Sequence, residues 1–455
     1  MIAAKITTEI TAMIIKPYRC HWLLAATGIG LTTMVAMLGP TRMAQAQEPD
    51  KATAKDGVTF TRDVAPILQR ACQNCHRPNN IAPMSLLTYT DARPWARSIK
   101  EHVVRRDMPP WFVDRNVGIR HFKDDPSLSG KEIATIAAWV DSGSPEGNRA
   151  DMPPPRKFDD ADRWHIGKPD LIVPLPVPFT VKPKTADWWG NLVSDSGLTE
   201  DRYIRAVETK PSAEGGIRVV HHSVTSLIDE DGVSDAGTLN EYAVGKNGDF
   251  YPEGSGKLIK AGARIQFNMH YHSVGEQITD QTSLGFVFYP KGYVPKHVVT
   301  TVQVGSTDLD IPAGADNVRS DGYFKFEKPT KLTGFQPHMH NRGKAECIEA
   351  IYPNMRVEQL NCVNRFNFGW QIVYNYADDS APLLPAGTIL HVINWHDNSA
   401  RNPWNPDPRN WTGYGERTND EMSKSWVNFY YMSDEEFKAE AEARNALRGK
   451  LTSQR

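Results

Sequence analysis

The stretch Ile265-Gln-Phe-Asn-Met-His-Tyr-His272 alternates apolar with polar side chains over its whole length. Successive side chains of a β-strand point to opposite faces of the sheet. One face of this stretch is therefore apolar, and the other carries Gln266, Asn268, His270 and His272. The pattern predicts a half-buried strand on which two imidazoles lie side by side.

The sequence around this stretch also has the features of β-structure. From about residue 187 onward, short β-rich runs alternate with Gly, Asn, Asp and Pro, and no amphipathic helix is evident before the charged segment 433–448. This spacing predicts antiparallel sandwiches. Roughly 270 residues fit two such domains better than one. We expect the first β-sandwich domain at 186–320 and the second at 321–455.

The N-terminal part of the chain has helical periodicity instead. Between residues 58 and 147, Ile67, Leu68 and Ala71 recur on one helical face, and Ser129 with Glu132 forms a capping-box pattern before an apolar run. We place this domain at 47–150. The proline-rich range 151–185 is expected to be a semi-rigid linker.

Cys72-Gln-Asn-Cys75-His76 lies inside the helical region and is the attachment pattern of c-type haem. The two thiols become thioethers to the porphyrin, and His76 becomes one axial ligand of the iron. Zinc is the alternative, but no second cysteine pair lies nearby to complete a four-ligand site. The motif predicts one covalent haem.

The sixth iron ligand has two candidates, Met84 and Met108. Met108 precedes a proline in Arg106-Asp-Met-Pro-Pro-Trp111, a segment that proline keeps extended. Met84 lies only eight residues beyond His76, which is close for a ligand on the opposite face of the haem. We prefer Met108. Three short helices around this motif resemble the class I cytochrome c domain, in which the axial methionine commonly precedes a proline.

The first 46 residues resemble an export signal. Lys16 and Arg19 end a basic region, an apolar run covers 22–38, and Ala44-Gln-Ala46 is a small-x-small cleavage pattern. A retained membrane anchor is the alternative, but this run is shorter than the roughly 20 residues of a spanning helix. We expect a periplasmic protein with no stable membrane span after cleavage.

Composition adds two expectations. The formal charge of −2 gives no reason to expect nucleic acid as a partner. Cys347 and Cys362 are the cysteines that neither the signal nor the haem motif uses. In an oxidising compartment they suggest one disulfide bond, which a turn between them would bring together.

Histidines are concentrated in the β region, where nine of the fourteen lie between residues 221 and 396. Six of them form three pairs or near-pairs: His221 with His222, His270 with His272, and His338 with His340. Three such pairs in one chain predict metal binding. Neutral imidazole suits zinc, copper, iron and nickel, and a thioether ligand in addition favours Cu(I).

The order of these residues resembles that of the copper type II ascorbate-dependent monooxygenases, the family of peptidylglycine α-hydroxylating monooxygenase and dopamine β-monooxygenase. Those enzymes have two jelly-roll-like β domains with one copper in each. The resemblance covers roughly residues 200–455. It implies the following ligands: an electron-transfer copper on His221, His222 and either His270 or His272, and an oxygen-binding copper on His338, His340 and Met422. His396 has no counterpart in this pattern.

Together these features predict a small all-α cytochrome c domain followed by two all-β jelly-roll-like sandwich domains, with one haem and two coppers. The resemblance implies a monooxygenase that hydroxylates a C–H bond of a small organic substrate with O2. His338, His340 and Met422 would be catalytic, and an external donor would supply electrons through the haem. A haem and copper electron-transfer protein without oxygenase activity is the main alternative, and a copper-binding module that docks to a respiratory complex is another.

Overall fold

The computed structural model describes residues 57–78, 80, 82–158, 164–213, 215–229, 232–243 and 248–453. The chain divides into two compact units, Met1–Thr53 and Ala54–Arg455. The expected export signal at 1–46 lies outside the described residues. All helices and strands of the described residues belong to the second unit.

Six α-helices lie in the described residues, four of them near the haem motif. Their bounds are α1 Ala65–Ala71, α2 Tyr89–Ala92, α3 Ala96–Val104, α4 Gly130–Asp141, α5 Gly216–Val219 and α6 Asp434–Ser453. The predicted capping box of α4 is confirmed: the Ser129 hydroxyl accepts from the Glu132 backbone N–H, and the Glu132 carboxylate accepts from the Ser129 N–H. Phe60, Leu68 and Trp139 form the centre of a small core among α1–α4.

The expectation of a separate small all-α domain is wrong. The connection between α3 and α4 leaves the helices and packs on the sandwich formed by residues 300–431. There the Asp114 N–H donates to the Cys362 carbonyl over 2.7 Å, and the Ile119 N–H donates to the Leu360 carbonyl over 3.0 Å. Gly118 permits this approach, because a Cβ there would meet the Leu360 backbone. Helical periodicity depends only on residues close together in the sequence. It therefore predicts the helices but not the surface against which the segment between them packs.

The first sandwich is built from twelve described strands, β1–β12. Their bounds are β1 Leu171–Pro174, β2 Phe179–Val181, β3 Trp188–Asp195, β4 Arg202–Lys210, β5 Val220–Asp229, β6 Gly232–Ala243, β7 Asp249–Phe250, β8 Ser255–Ile259, β9 Arg264–Tyr271, β10 Ile278–Asp280, β11 Ser283–Phe288 and β12 His297–Val298. One sheet has the order β1-β11-β4-β8-β12, with β7 beside β4. The opposing sheet has the order β3-β9-β5-β6, and β10 pairs with β2.

The alternation that predicted a strand at 265–272 is confirmed in β9. Ile265, Phe267, Met269 and Tyr271 are at most 1% exposed and belong to the core of the first sandwich. The range 151–185, expected to be a linker, also contributes to this sandwich, because it contains β1 and β2. β1 pairs antiparallel with β11, and β2 pairs with β10.

The second sandwich follows from residue 300. Its strands are β13 Thr300–Ser306, β14 Asp310–Ile311, β15 Val318–Lys325, β16 Thr330–His338, β17 Gly343–Ile351, β18 Val357–Val363, β19 Tyr374–Asn375, β20 Leu383–Leu384, β21 Ile389–His396, β22 Thr412–Gly413 and β23 Ser423–Tyr431. The sheets have the orders β13-β23-β16-β19 and β15-β21-β17-β18, and β14 pairs with β22. The expected boundary at 320 therefore falls inside this sandwich, within β15.

The predicted disulfide is confirmed. Cys347 on β17 and Cys362 on β18 are register partners and are bonded to each other. The hairpin between these two strands brings the two cysteines together, as the sequence predicts. None of the helices in the described part of the chain combines the length and the apolar character that crossing a bilayer requires.

Candidate metal centre and haem motif

The first histidine cluster lies on two neighbouring strands of the first sandwich. His221 and His222 begin β5, and His270, near the end of β9, is the register partner of His222. Consecutive residues of a regular strand point to opposite faces, but the register shifts between Val220 and His222. Such a bulge redirects side chains, and here it lets both imidazoles approach His270. One ligand atom from each of the three histidines lies within 4.8 Å of the others.

Burial keeps these imidazoles neutral. It lowers the pKa of His221 to about 4, with a smaller contribution from the neighbouring His270 ring, and it holds the pKa of His222 well below its usual range. The Nδ1 atoms of His221 and His222 are buried and accept or donate no hydrogen bond within the described part of the chain. Buried polar atoms normally have partners. Two orphaned ring nitrogens beside a third imidazole therefore fit a metal ion, which binds neutral imidazole.

Asp187 orients the imidazole of His270, the third histidine of this cluster. Its Oδ2 accepts from the Nε2–H of His270 over 3.0 Å, and its Oδ1 accepts from the Nδ1–H of His272 over 2.7 Å. Burial raises the pKa of Asp187, but the hydrogen bonds from His272 and His270 outweigh it, so this pKa is lowered. His270 is buried and keeps its Nδ1 for a metal, while His272 is exposed and lies outside the cluster. The structure thus brings His270, rather than His272, together with His221 and His222.

The second cluster lies at the end of β16 in the second sandwich. His338 is the last residue of that strand, His340 follows it, and both are at most 5% exposed. The Nδ1–H of His340 donates to the Asp420 carbonyl over 3.1 Å, which leaves its Nε2 for a metal. Burial holds the pKa of His338 well below its usual range, so this ring is neutral too.

Met422 lies just before β23 and lines the same cavity as His338 and His340. Glu421 is fully buried and accepts from the backbone N–H groups of His340 and Arg342, so it ties this segment to the histidine turn. The Nε2–H of His396 donates to the Met422 carbonyl over 3.1 Å. His396, to which the sequence assigned no role, therefore positions the backbone of Met422.

The two clusters line one cavity of about 270 Å³ between the sandwiches. The ring centroids of His222 and His338 are 6.2 Å apart, so the clusters meet across the interface. Glu241 of the first sandwich reaches across as well, with its Oε1 3.6 Å from the Nδ1 of His338. The lining residues are Trp189, His222, Val224, Ser226, Thr238, Gln266, Asn268, His270, Gln303, His338, His340, Glu416, Met422, Lys424 and Trp426.

The haem motif lies in the turn that follows α1. Cys72 and Cys75 are free thiols and half-buried, and burial raises the pKa of Cys72 to about 12. The Nδ1–H of His76 donates to the Met84 carbonyl over 3.3 Å, which leaves Nε2 for an iron. Two free thiols and one oriented imidazole fit a covalent haem.

The two candidates for the sixth iron ligand have different surroundings. The Met84 backbone lies on the Nδ1 side of the His76 ring, away from Nε2, and its side chain packs against the helical core. Met108 is half-buried, lies four residues beyond the end of α3 and begins the segment that crosses to the second sandwich. Met108 stays the predicted sixth ligand.

Sequence reasoning missed three residues of this centre: Asp187, Glu421 and Phe368. Asp187 is 83 residues from His270 in sequence, and the two meet only because β3 pairs with β9. In the sequence, only the position next to Met422 could have pointed to Glu421. Phe368 lies in a loop, and its ring centroid is 5.1 Å from that of His221. Neither spacing nor periodicity distinguishes such a residue.

Comparison with known proteins identifies no family for this chain. No protein-family model matches it, and no curated protein matches it. Matching solved structures include a "putative alpha-L-fucosidase from Bacteroides ovatus", at 10% identity over 66% of this chain and 43% of that chain, with a TM-score of 0.17. Another is a structure of infectious bursal disease virus, Gx strain, at 10% identity over 58% of this chain and 73% of that chain, with a TM-score of 0.18. Similarities at these TM-scores carry no argument about function.

Proposed function

We propose that this protein is an exported copper-dependent monooxygenase that receives its electrons through a covalently bound haem. The observation that carries the proposal is the shared cavity. His222 and His270 line it from one sandwich, and His338, His340 and Met422 line it from the other. The substrate is a small organic molecule, and O2 is the oxidant.

The donor sets fit copper at both positions and favour it at the second. Three neutral imidazoles suit several metals, but two imidazoles with a methionine thioether suit copper, because the soft sulfur favours Cu(I). When bound, copper would supply one-electron chemistry and a site for O2. His221, His222 and His270 would hold one ion, and His338, His340 and Met422 would hold the other.

The reaction needs two electrons and two protons. Hydroxylation puts one oxygen atom of O2 into a C–H bond and releases the other as water, and an external donor supplies the electrons one at a time. The haem on Cys72, Cys75 and His76, with Met108 as sixth ligand, is the proposed entry point, since a haem cycles by one electron. The protein's own part is to hold the ligands, to shape the cavity and to keep the buried His221, His222 and His338 unprotonated.

Export to the periplasm is part of the proposal. The expected signal at 1–46 supports it, and so does the Cys347–Cys362 disulfide, because disulfides persist in oxidising compartments. Covalent haem attachment to a cysteine pair takes place in the same compartment.

Met422→Ile tests the oxygenase proposal against the electron-transfer alternative. Met422 and Met432 are each 8% exposed, but Met422 lines the cavity and Met432 does not, so Met432→Ile is a matched control for the loss of a buried methionine. Reductant-driven O2 uptake and substrate hydroxylation should be lost in M422I and kept in M432I, while haem reduction is unchanged in both. If the unmodified protein with copper and haem bound consumes no O2, the electron-transfer function replaces the oxygenase function.

A further inference from the structure

The loop between β18 and β19, residues 364–373, contacts both the segment that leads to Met108 and the histidine clusters. Its first residues lie against the end of α3. The Arg365 guanidinium donates to the Asp107 carboxylate over 2.6 Å and to the Arg105 carbonyl over 2.8 Å. Asp107 immediately precedes Met108, the preferred sixth ligand of the haem iron. One end of the loop is thus fixed next to that ligand.

The other side of the loop lies against both histidine clusters. The Phe368 ring centroid is 5.1 Å from that of His221 in the first cluster and 6.0 Å from that of His340 in the second. Phe368 follows Arg365 by three residues, a span of at most about 10 Å even in an extended chain. A single short segment therefore connects the residues just before Met108 with the imidazoles.

Packing and hydrogen bonds hold the loop in place between these two ends. The Phe366 N–H donates to the Lys344 carbonyl over 3.0 Å, and the Phe366 ring fills the space where a Cβ on Gly343 would lie. The Asn367 side chain accepts from the Gly369 N–H over 2.9 Å. Just beyond the loop, the Tyr374 hydroxyl accepts from the Phe112 N–H over 3.2 Å, which adds a second contact with the connection after α3.

We propose that loop 364–373 is the electron bridge from the haem to the copper centre: Arg365 holds the segment that carries Met108 in place, and the Phe368 ring lies against His221 and His340. With both groups bound, one electron would pass from ferrous haem to a cupric ion, giving ferric haem and a cuprous ion, and no bond to carbon or oxygen would change. Arg365 and Phe368 are positioning residues. This inference rests on the proposed function, because it needs both the haem and copper.

Arg365→Glu and Phe368→Leu test the bridge in the full-length protein loaded with haem and copper. Under anaerobic conditions, the haem is reduced by one electron in a flash, and its reoxidation by copper is followed in the haem absorption bands. The process should be first order and independent of protein concentration. We expect both variants to slow it several-fold, while iron and copper contents and the rate of haem reduction by an external donor stay as in the unmodified protein.

Arg356→Glu is the matched control. Arg356 lies in the same sandwich, its side chain is 57% exposed against 55% for Arg365, and it pairs with a neighbouring carboxylate, that of Glu358. Such exposed pairs contribute little to stability, so neither charge reversal should unfold the protein. R356E should transfer electrons at the unmodified rate.

The outcomes separate the two proposals. Unchanged transfer rates in both R365E and F368L, with metals bound and reoxidation intact, overturn the bridge and leave the oxygenase proposal standing. An unmodified protein that lacks copper or haem, or whose reduced haem does not pass its electron on, overturns both. Slower transfer in the two variants but not in R356E supports the bridge.

Discussion

Asp187 offers the sharpest test of how the first cluster is built. Its two carboxylate oxygens accept from His270 and His272, and His270 is the only one of the two that lies in the cluster. Asp187→Asn keeps the size of the side chain but removes one of the two acceptor oxygens and places an N–H₂ group against an imidazole. We expect His270 to lose its fixed orientation, because a metal-binding imidazole depends on the acceptor at its other nitrogen.

The structure also sets the size of the effect. Loss of such an acceptor typically lowers metal affinity by about 10–100-fold. The Asp187 side chain is 29% exposed, so water can replace part of what is lost. We therefore expect the lower end of that range, about tenfold or ~1.4 kcal/mol, for one of the two copper ions.

The assay is a copper titration against a competing chelator, with D187N beside Asp195→Asn as control. Asp195 is exposed and ends the same strand, β3, so D195N reports any general effect of removing a charge from this strand. Both variants should unfold at the same denaturant concentration without metal as the unmodified protein does. Unchanged copper affinity in D187N, or an equal loss in D195N, would refute the role given to Asp187.

Three further predictions concern buried groups of the second sandwich. Burial raises the pKa of the fully buried Glu346 well above its usual 4.5, so this carboxyl stays protonated in the folded protein. Stability should therefore fall as pH rises above about 4.5, where the carboxyl of the unfolded chain ionises. Glu346→Gln should remove this fall, so its urea midpoint should differ from that of the unmodified protein more at pH 8 than at pH 4. Replacing Cys347 and Cys362 by alanine opens a loop with a sequence separation of 15 and should lower the free energy of unfolding by about 3 kcal/mol. A loss below ~1 kcal/mol would contradict the idea that this bond stabilises the fold by restricting the unfolded chain. His396→Leu removes the donor to the Met422 carbonyl and should weaken copper binding at the second cluster alone. A copper titration of H396L in a His221→Ala background would measure the second cluster by itself. Equal copper affinity with and without His396 would rule this role out.

Much of the candidate site could be predicted because its signals are local. The alternation at 265–272 marks a strand with His270 on its polar face, and β9 confirms it. His-x-His spacing places His338 beside His340, and the cysteines on either side of a turn predict the disulfide. Each of these features depends on neighbours within a few residues, where strand geometry and turn chemistry decide the outcome.

The rest depends on pairings between distant parts of the chain. Nothing near residue 111 shows that the connection after α3 packs on β18, so the helices were expected to form a domain of their own. Asp187 becomes a partner of His270 only through the pairing of β3 with β9. The choice between His270 and His272 depends on the pairing of β5 with β9, which makes His270 the register partner of His222 and places it near His221.

The metal content of the purified, exported protein tests the central claim most directly. The claim is that two β-sandwiches hold two copper ions in one cavity beside a covalent haem. Elemental analysis should find about one iron and two copper ions per chain, with the haem resistant to extraction by acidified organic solvent. Zinc or no metal in place of copper, or a haem that is extracted, would contradict the account.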